Sequence, residues 1–173
     1  DVYGTPELHR VEVTGSSLLA NPGCYPTDAI LALAPAVKHG LIHPDIIVDS
    51  KSGVSGAGRA LSLKSHYAEV NESASAYALE GHRHLPEITQ ELKALQLGKP
   101  LSVTFLPHLI PMTRGILSSC YAQLMSGTLS SNDKGIEKIR QIYLEFYKDE
   151  PFVKVLDVPP QTKYVWGTNL CLI

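Results

Sequence analysis

The stretch Asn-Pro-Gly-Cys-Tyr-Pro-Thr-Asp, residues 21–28, runs directly into the apolar segment Ala-Ile-Leu-Ala-Leu-Ala at residues 29–34. The apolar segment is typical of a buried helix, and Thr27 or Asp28 would cap it. Cys24 therefore stands at the predicted helix start, where unpaired backbone N–H groups and the helix dipole favour a thiolate. A thiolate is the form of cysteine that attacks carbonyl carbon atoms. The local pattern fits an activated nucleophile and a buried structural cysteine equally well.

Two histidines two positions apart occur in Gly-His-Arg-His-Leu-Pro-Glu, residues 81–87. In an extended segment such side chains point to the same side, so His82 and His84 can face one pocket. An imidazole exchanges protons near neutral pH, and a carboxylate such as that of Glu87 can hold its tautomer. The spacing also fits surface histidines or a pair of metal ligands.

Composition indicates a single domain with a substantial core. The chain has 173 residues, of which 44% are hydrophobic and 18% charged, and its net charge is −2. A chain of this size buries roughly 70% of the surface that its unfolded form exposes. A nucleic-acid surface would need a clustered basic patch, and a membrane span would need an apolar run of about 20 residues. Neither is present in the sequence, so we expect no nucleic-acid and no membrane partner.

The three cysteines predict neither a disulfide framework nor a zinc ribbon, because their number is odd and no Cys-x-x-Cys spacing occurs. Cys120 and Cys171 lie in apolar, strand-like runs and are expected to be inert core thiols. A zinc site that combines Cys24 and His108 with the histidine pair is disfavoured, because no tight ligand pair includes a cysteine. We therefore expect no metal, and a reducing compartment.

Helical and strand patterns alternate along the chain. Helices are predicted over residues 28–39, 87–95 and 133–147, and strands over residues 46–49, 101–110, 116–125, 152–156 and 164–173. A short turn joins the strands at residues 101–110 and 116–125, which predicts that these two strands are antiparallel neighbours. This mixture predicts an α+β domain, with a mixed, mostly antiparallel sheet and helices on one face.

Five motifs in order carry a resemblance to a known enzyme family. They are Asn-Pro-Gly-Cys-Tyr-Pro-Thr at 21–27, Ser-Gly-Val-Ser-Gly-Ala-Gly-Arg at 52–59, Gly-His-Arg-His-Leu-Pro-Glu-Ile at 81–88, Pro-His-Leu-Ile-Pro-Met-Thr-Arg-Gly-Ile at 107–116 and Gly-Thr-Asn at 167–169. In this order they resemble N-acetyl-γ-glutamyl-phosphate reductase of arginine biosynthesis. The resemblance implies the fold of the C-terminal domain of glyceraldehyde-3-phosphate and aspartate-semialdehyde dehydrogenases. In that domain the sheet forms much of a subunit interface, which implies a homo-oligomer, either a dimer or a tetramer.

The resembling enzymes contain a nucleotide-binding domain that this sequence does not match. The glycines at positions 53, 56 and 58 read Gly-x-x-Gly-x-Gly, which is the wrong order for a dinucleotide fingerprint. Residues 1–173 are therefore expected to form the substrate-binding, catalytic and dimerisation domain. The N-terminal NADP-binding Rossmann domain and the C-terminal helix of the family would lie outside this chain. NADP(H) would be bound mainly by that outside domain.

The resemblance implies a reaction and roles for the candidate catalytic residues. NADPH-dependent reduction of N-acetyl-γ-glutamyl phosphate would give N-acetylglutamate 5-semialdehyde and phosphate through a thioester on Cys24. His84 would be the acid/base, although His82 fits the same role, and His82 and Glu87 would position it or bind substrate. The backbone amide of Tyr25 could donate to the oxyanion.

The phosphate and the α-carboxylate of this substrate both need cationic or amide partners. Arg114 and Arg59 are the candidates, because a guanidinium binds oxyanions bidentately, although each fits a surface salt bridge as well. The glycine-rich loop has backbone amides that are expected to face the phosphate or the nicotinamide edge. The other predicted site residues are Ser52, Gly53, Ser55 and His108 for the substrate, and Gly56 and Asn169 for the cofactor.

Three alternative functions stay open at this point. The chain could belong to a related acyl-phosphate or semialdehyde dehydrogenase such as aspartate-semialdehyde dehydrogenase. It could also be a cysteine hydrolase that uses the same cysteine and histidine with water as the acceptor. A third possibility is a non-catalytic dimerisation module in which Cys24 is buried. A cytoplasmic location is expected, or the plastid stroma if the source is a plant.

Overall fold

The computed structural model describes residues 1–129 and 133–173. The strands are β1 (Val2–Tyr3), β2 (Leu19–Ala20), β3 (Ile42–Ser52), β4 (Ser75–Ala76), β5 (Ser102–Leu109), β6 (Ile116–Leu124), β7 (Val153–Lys154) and β8 (Cys171–Leu172). The helices are α1 (Pro6–Gly15), α2 (Cys24–Lys38), α3 (Tyr67–Val70), α4 (Leu85–Leu95) and α5 (Asp133–Phe146). Within the described ranges, no helix is both long enough and apolar enough to cross a membrane.

Four strands form the central sheet in the order β4-β5-β3-β6. Strand β3 runs parallel to β5 and antiparallel to β6, and β4 runs antiparallel to β5. In this register Val48 lies between Phe105 and Cys120. Two of the three pairings are antiparallel and the helices α2 and α4 pack on one face, so the predicted α+β class is confirmed.

The predicted pairing of the strands at residues 101–110 and 116–125 with each other is wrong. Strand β3 lies between β5 and β6 and bonds to both of them. Residues 110–115 therefore connect strands that are two positions apart, which is about 10 Å at the usual strand spacing. A six-residue connection spans that distance, and the central position suits β3 because its alternate residues Ile46, Val48 and Ser50 are buried.

The predicted strand at residues 164–173 is mostly absent. Residues Thr162–Val165 form a 3₁₀ helix, and the strand is limited to β8, which pairs with β7 in a separate two-stranded sheet. Gly167 has a φ of 71° and the N–H of Thr168 donates to the carbonyl of Val165. The backbone turns at Gly167 because its φ lies in the left-handed region, so the strand does not begin until Cys171.

Helix α2 begins four residues before its predicted start. Gly23 is the N-cap, with φ −68° and ψ 159°, and Cys24 is the first helical residue. Pro26 is tolerated in the first turn because the amides there have no intrahelical acceptor in any case. The hydroxyl of Thr27 donates to the carbonyl of Gly23 at 2.9 Å instead of capping a later helix. The early start places the Cys24 thiol within the first turn.

The core lies between α2, α4 and the sheet. Its fully or nearly fully buried members are Tyr25, Ala29, Leu33 and Val37 of α2, Ile88 and Leu92 of α4, Ile46 and Val48 of β3, and Phe105 of β5. Cys120 packs against this core, and Cys171 packs against a smaller cluster around Leu31, Tyr147 and Val153. Burial raises the pKa of both thiols to about 12, which agrees with the predicted core positions.

Helix α5 packs on α2 next to a backbone carbonyl that Pro35 leaves without a helical hydrogen bond. Pro35 has no N–H, so the carbonyl of Leu31 four residues earlier has no helical donor. The Tyr147 hydroxyl donates to that carbonyl at 2.6 Å, and the Tyr143 hydroxyl donates to the carbonyl of Ala32 at 2.8 Å. Tyr147 is buried, so its hydroxyl and the carbonyl depend on each other for a partner.

The sheet face opposite the helices, here called the open sheet face, carries the other set of alternating residues. Ile47 and Tyr121 are cross-strand partners on this face, and they are 45% and 57% exposed. A charged cluster lies beside them, because Asp49 contacts the Lys51 ammonium at 2.5 Å and the His108 imidazole at 3.1 Å. The open sheet face thus combines exposed apolar side chains with an ion-pair cluster.

The substitution Tyr147→Phe tests the role of the tyrosine beneath Pro35. It removes the only hydroxyl shown bonding to the Leu31 carbonyl within the described residues, and leaving a buried carbonyl unpaired costs about 1–3 kcal/mol. We expect the free energy of unfolding in urea to fall by that amount. Tyr164→Phe is the matched control, since Tyr164 is exposed, and it should change stability little. Equal stability of both variants would contradict this account of the docking.

Candidate active site

The thiol of Cys24 is exposed at the first turn of α2. The amides of Cys24 and Tyr25 have no acceptor within the helix, because the first N–H groups of any α-helix lack one. These groups carry the positive end of the helix dipole, which stabilises negative charge at this place. The exposed position differs from the buried one that a purely structural cysteine would occupy.

The ring of His84 lies directly over Gly23. A Cβ atom built on Gly23 would be 2.7 Å from Nε2 and 2.9 Å from Cε1 of His84, closer than side chains normally approach. Only glycine, the one residue without a Cβ atom, leaves room for the imidazole here. The contact places His84, which is 8% exposed, beside the residue that precedes Cys24.

Glu87 holds the start of α2 more closely than it holds the histidine. Its Oε2 atom accepts hydrogen bonds from the Gly23 amide at 3.1 Å and from the Tyr3 hydroxyl at 3.0 Å. Its Oε1 atom is 3.9 Å from Nε2 of His84. Burial and the bond to Glu87 raise the pKa of Tyr3, so its hydroxyl stays a donor. Glu87 thus connects β1, α2 and α4 at one point.

His82 supports the backbone of His84. Its Nδ1 atom accepts the His84 amide at 3.2 Å, which requires that Nδ1 carries no proton. The His82 ring makes edge contacts with the rings of Tyr25, Tyr77 and Phe105 at centroid distances of 5.3–5.6 Å. Burial lowers the pKa of His82 and of His84, with a further lowering by the Arg83 guanidinium. Both imidazoles are therefore neutral at neutral pH.

Two tyrosine hydroxyls lie beside the histidine pair. The Tyr77 hydroxyl donates to the Tyr25 hydroxyl at 2.9 Å. Burial raises the pKa of both tyrosines, and a thiolate at the neighbouring Cys24 would raise it further. The sequence motifs predict a role for the Tyr25 amide and none for Tyr77. The one sequence signal for Tyr77 is its place in the segment leading to the histidines.

Three amides of the glycine-rich loop bond to another part of the chain. The amides of Gly53, Val54 and Ser55 donate at 3.0 Å to the carbonyls of residues 115, 112 and 113 respectively. A Cβ atom on Gly53 would lie 2.7 Å from the Thr113 carbonyl carbon, so glycine is needed for this close packing. The expectation that these amides face a phosphate is therefore wrong. They are saturated by the turn that follows β5.

A cavity of about 700 Å³, here called the Cys24 cavity, opens at this place. Its lining includes seven residues named from the sequence, which are Cys24, Tyr25, Ser52, Gly53, Gly56, His82 and His84. It also includes Lys64, Glu69, Tyr77 and Arg83, for which the sequence analysis assigned no role. A volume of this size is typical of small-molecule sites. Among the described residues, no group of three potential ligands could hold a metal ion.

Residues 24–173 match the family model described as semialdehyde dehydrogenase, dimerisation domain. The chain belongs to this family. The match begins at Cys24 and covers most of the chain, and with it both the sheet and the candidate active site.

Curated relatives named N-acetyl-gamma-glutamyl-phosphate reductase are similar over nearly the whole chain. The protein from Pelotomaculum thermopropionicum is 56% identical over 173 residues, covering 98% of this chain and 48% of the relative. The protein from Dehalococcoides mccartyi is 52% identical over 172 residues, covering 99% and 49% respectively. These relatives confirm the resemblance that the motifs indicate. The chain spans about half the length of the curated relatives that it matches.

Solved structures of aspartate-semialdehyde dehydrogenases share the fold. The enzyme II from Vibrio cholerae has a TM-score of 0.64 at 13% identity, covering 96% of this chain and 55% of that chain. The Candida albicans enzyme with NADP has a TM-score of 0.58 at 14% identity, covering 91% and 48%. At these identities the likeness concerns the fold alone, and it confirms the fold expected for this semialdehyde dehydrogenase dimerisation domain.

The remaining predicted site residues of this semialdehyde dehydrogenase domain lie outside the lining of the Cys24 cavity. Glu87 lies behind Gly23, where it bonds to the amide. His108 contacts Asp49 on the open sheet face, on the far side of the sheet from α2. The others are exposed residues, namely Ser55 in the 3₁₀ helix Val54–Ala57, and Arg59, Arg114 and Asn169 outside helices and strands.

The substitution Gly23→Ala tests the close approach of the imidazole. The backbone at Gly23 has φ −68°, so alanine is acceptable to the chain, and only the ring must move. A displaced His84 becomes more hydrated, so its pKa should rise towards the ordinary value of about 6.5. The titration is followed by NMR of the imidazole. Gly15→Ala is the matched control because its added Cβ meets nothing within 4 Å, and an unchanged His84 titration in Gly23→Ala would contradict the contact.

Proposed function

We propose that this chain is the acyl-transfer and dimerisation domain of an N-acetyl-γ-glutamyl-phosphate reductase. The observation that carries the proposal is the placement of the exposed Cys24 thiol and the neutral His84 imidazole around Gly23, at the edge of one cavity. A nucleophile, a proton acceptor and helix N–H groups at one place are the parts that acyl transfer needs. The relatives supply the substrate, since they are named for it.

In the proposed reaction the Cys24 sulfur attacks the acyl carbon of N-acetyl-γ-glutamyl phosphate. The thiol proton passes to the neutral His84, a carbon–sulfur bond forms, and the bond from carbon to the phosphate oxygen breaks. Phosphate leaves and a thioester remains on Cys24. The amides of Cys24 and Tyr25 are placed to donate to the oxyanion of the tetrahedral intermediate, because both lack helical acceptors.

His84 suits the acid/base role better than His82 does. The Nδ1 atom of His82 is engaged by the His84 amide, whereas Nδ1 of His84 is buried with no partner in the described part of the chain. We therefore assign His84 to proton transfer and His82 to the support of its backbone. Glu87 positions the pair indirectly, through its hydrogen bond to the Gly23 amide.

We infer that the cofactor is NADP(H), held mainly by a domain outside these residues. When bound, this cofactor would supply the hydride for reduction of the thioester to the semialdehyde. Gly56 lines the Cys24 cavity and leaves space there, since a Cβ atom on it would have only an ordinary contact of 3.7 Å with Ser52. This chain thus fits one edge of a nicotinamide site. The role of Asn169 and the cytoplasmic location stay predictions, and the bacterial relatives lend no support to a plastid.

The acylation step can be tested on this chain without a nucleotide. Incubation with N-acetyl-γ-glutamyl phosphate should release one phosphate per chain and add one N-acetylglutamyl group to Cys24. Intact mass, peptide mapping and a phosphate assay measure these products. Replacement His84→Gln should slow the acylation by roughly 10²–10⁴-fold, because a general base is lost.

Variants separate this function from the alternatives. Cys24→Ser should abolish the adduct, whereas Cys171→Ser, which changes a thiol packed in the second core cluster, should retain it. Phosphate release over many turnovers would indicate a cysteine hydrolase. A wild-type chain that forms no adduct would contradict the proposed function and favour the non-catalytic module.

We further propose that the open sheet face pairs with a second copy of this chain. Two observations support this occupant, namely the family's description as a dimerisation domain and the exposed cross-strand pair of Ile47 and Tyr121. Burial of this apolar pair against its symmetry mate would stabilise a dimer. The Asp49–His108 contact on the same face would then lie at the interface.

The substitution Tyr121→Glu tests this interface. It places a charge at the centre of the apolar patch, so the variant should be a monomer where the wild-type chain is a dimer. The molar mass is measured by light scattering after size-exclusion chromatography. Tyr164→Glu adds the same charge at another exposed tyrosine and should leave the dimer intact. A monomeric wild-type chain, or a dimeric Tyr121→Glu variant, would contradict the proposal.

A further inference from the structure

The Cys24 cavity needs positive charge if it binds a substrate that carries two anionic groups. The two imidazoles do not supply this charge at neutral pH, because burial lowers their pKa. The amides of residues 53–55 do not supply it either, since they donate to the turn after β5. Arg59 and Arg114 lie outside the cavity lining. A positive charge in the cavity must therefore come from other residues that line it.

Three charged side chains occur among the described lining residues, namely Lys64, Glu69 and Arg83. The two cations come from different segments, since Lys64 lies in the 3₁₀ helix Leu63–Ser65 and Arg83 lies between the two histidines. In the described part of the chain, neither cation has a carboxylate within ion-pair distance. Their charge is thus available to a ligand, with Glu69 as the one opposing charge.

Arg83 lies at the reacting end of the cavity. It lies between the two histidines in the chain and lines the cavity together with them and with Tyr77. Its positive charge lowers the pKa of all three groups, which agrees with this placement. A thiolate at Cys24 acts on Tyr77 in the opposite direction. Tyr77 is thus influenced by both groups, and all three residues line the cavity. Lys64 reaches the cavity from a separate segment, the 3₁₀ helix Leu63–Ser65.

We propose that Arg83 and Lys64 form the anion subsite of the Cys24 cavity, with Arg83 binding the phosphate next to the thiol and Lys64 binding the carboxylate at the far end of the substrate. The assignment of these two anions rests on the proposed function. The guanidinium suits the phosphate because its planar fork donates two hydrogen bonds to an oxyanion. The ammonium on its flexible stem suits the more distant carboxylate as a point charge.

The charge at Arg83 can be measured through alkylation of Cys24, without substrate or nucleotide. Iodoacetate and iodoacetamide react at the same sulfur, but only iodoacetate is negatively charged. The rate with iodoacetate divided by the rate with iodoacetamide therefore reports the local electrostatic potential. Arg83→Gln should lower this ratio by a factor of roughly 3 to 10, as expected for the loss of one charge in a partly solvated site. Arg83→Lys should retain the ratio, because it keeps the charge. Salt should lower the wild-type ratio by screening.

The two arginines outside the cavity lining provide matched controls. Arg59→Gln and Arg114→Gln remove the same charge outside the lining and should leave the ratio unchanged. Inorganic phosphate should protect Cys24 from iodoacetamide in the wild-type chain and lose this effect in Arg83→Gln. An unchanged ratio in Arg83→Gln, or an equal fall in Arg114→Gln, would overturn the proposal.

Binding measurements in the acylation assay distinguish the residue that binds the phosphate from the residue that binds the carboxylate. Arg83→Gln should weaken binding of the acyl phosphate and of inorganic phosphate alike, whereas Lys64→Gln should weaken binding of the acyl phosphate alone. The reverse pattern would overturn the assignment. If Cys24 forms no thioester but the alkylation ratio still depends on Arg83, the proposed reductase function fails and the anion subsite is supported.

Discussion

The arrangement of the candidate active site depends on the missing side chain at Gly23. The His84 imidazole occupies the space that any Cβ atom there would fill, at 2.7 Å from the ideal Cβ position. This contact joins the first turn of α2 to the segment that precedes α4. Glu87 joins the same two helices through the Gly23 amide, and Ile88 and Leu92 pack against α2 below it. The thiol and the imidazole are therefore held by the core and not by a flexible loop.

Burial has two consequences for the chemistry of this site. It keeps both histidines neutral, so that one of them can accept a proton from a thiol. It also removes the histidines as a source of positive charge, which leaves that task to the arginine between them and to a lysine from another segment. In the proposed site, acid/base chemistry and anion binding are thus assigned to different side chains within one cavity.

The two faces of the central sheet also carry different kinds of side chain. The face that carries Val48 and Phe105 packs against the helices, and the Cys24 cavity lies at its edge. The opposite face presents Ile47 and Tyr121 together with the ion pairs of Asp49. Because side chains alternate along a strand, each residue of β3 belongs to one face or the other. His108 was expected at the substrate site, and its register position places it on the open sheet face instead.

The sequence by itself determined the family and the fold class, and it singled out Cys24, His82 and His84 as candidate site residues, because these depend on local motifs and on periodicity. Helices α4 and α5 lie within two residues of their predicted bounds for the same reason. Only the tertiary structure decided that β3 separates β5 from β6, and that the amides of residues 53–55 are occupied. It also decided that Lys64, Tyr77 and Arg83 line the cavity while Arg59 and Arg114 do not. Strand order and cavity lining are set by contacts between residues far apart in the chain, for which no local pattern exists.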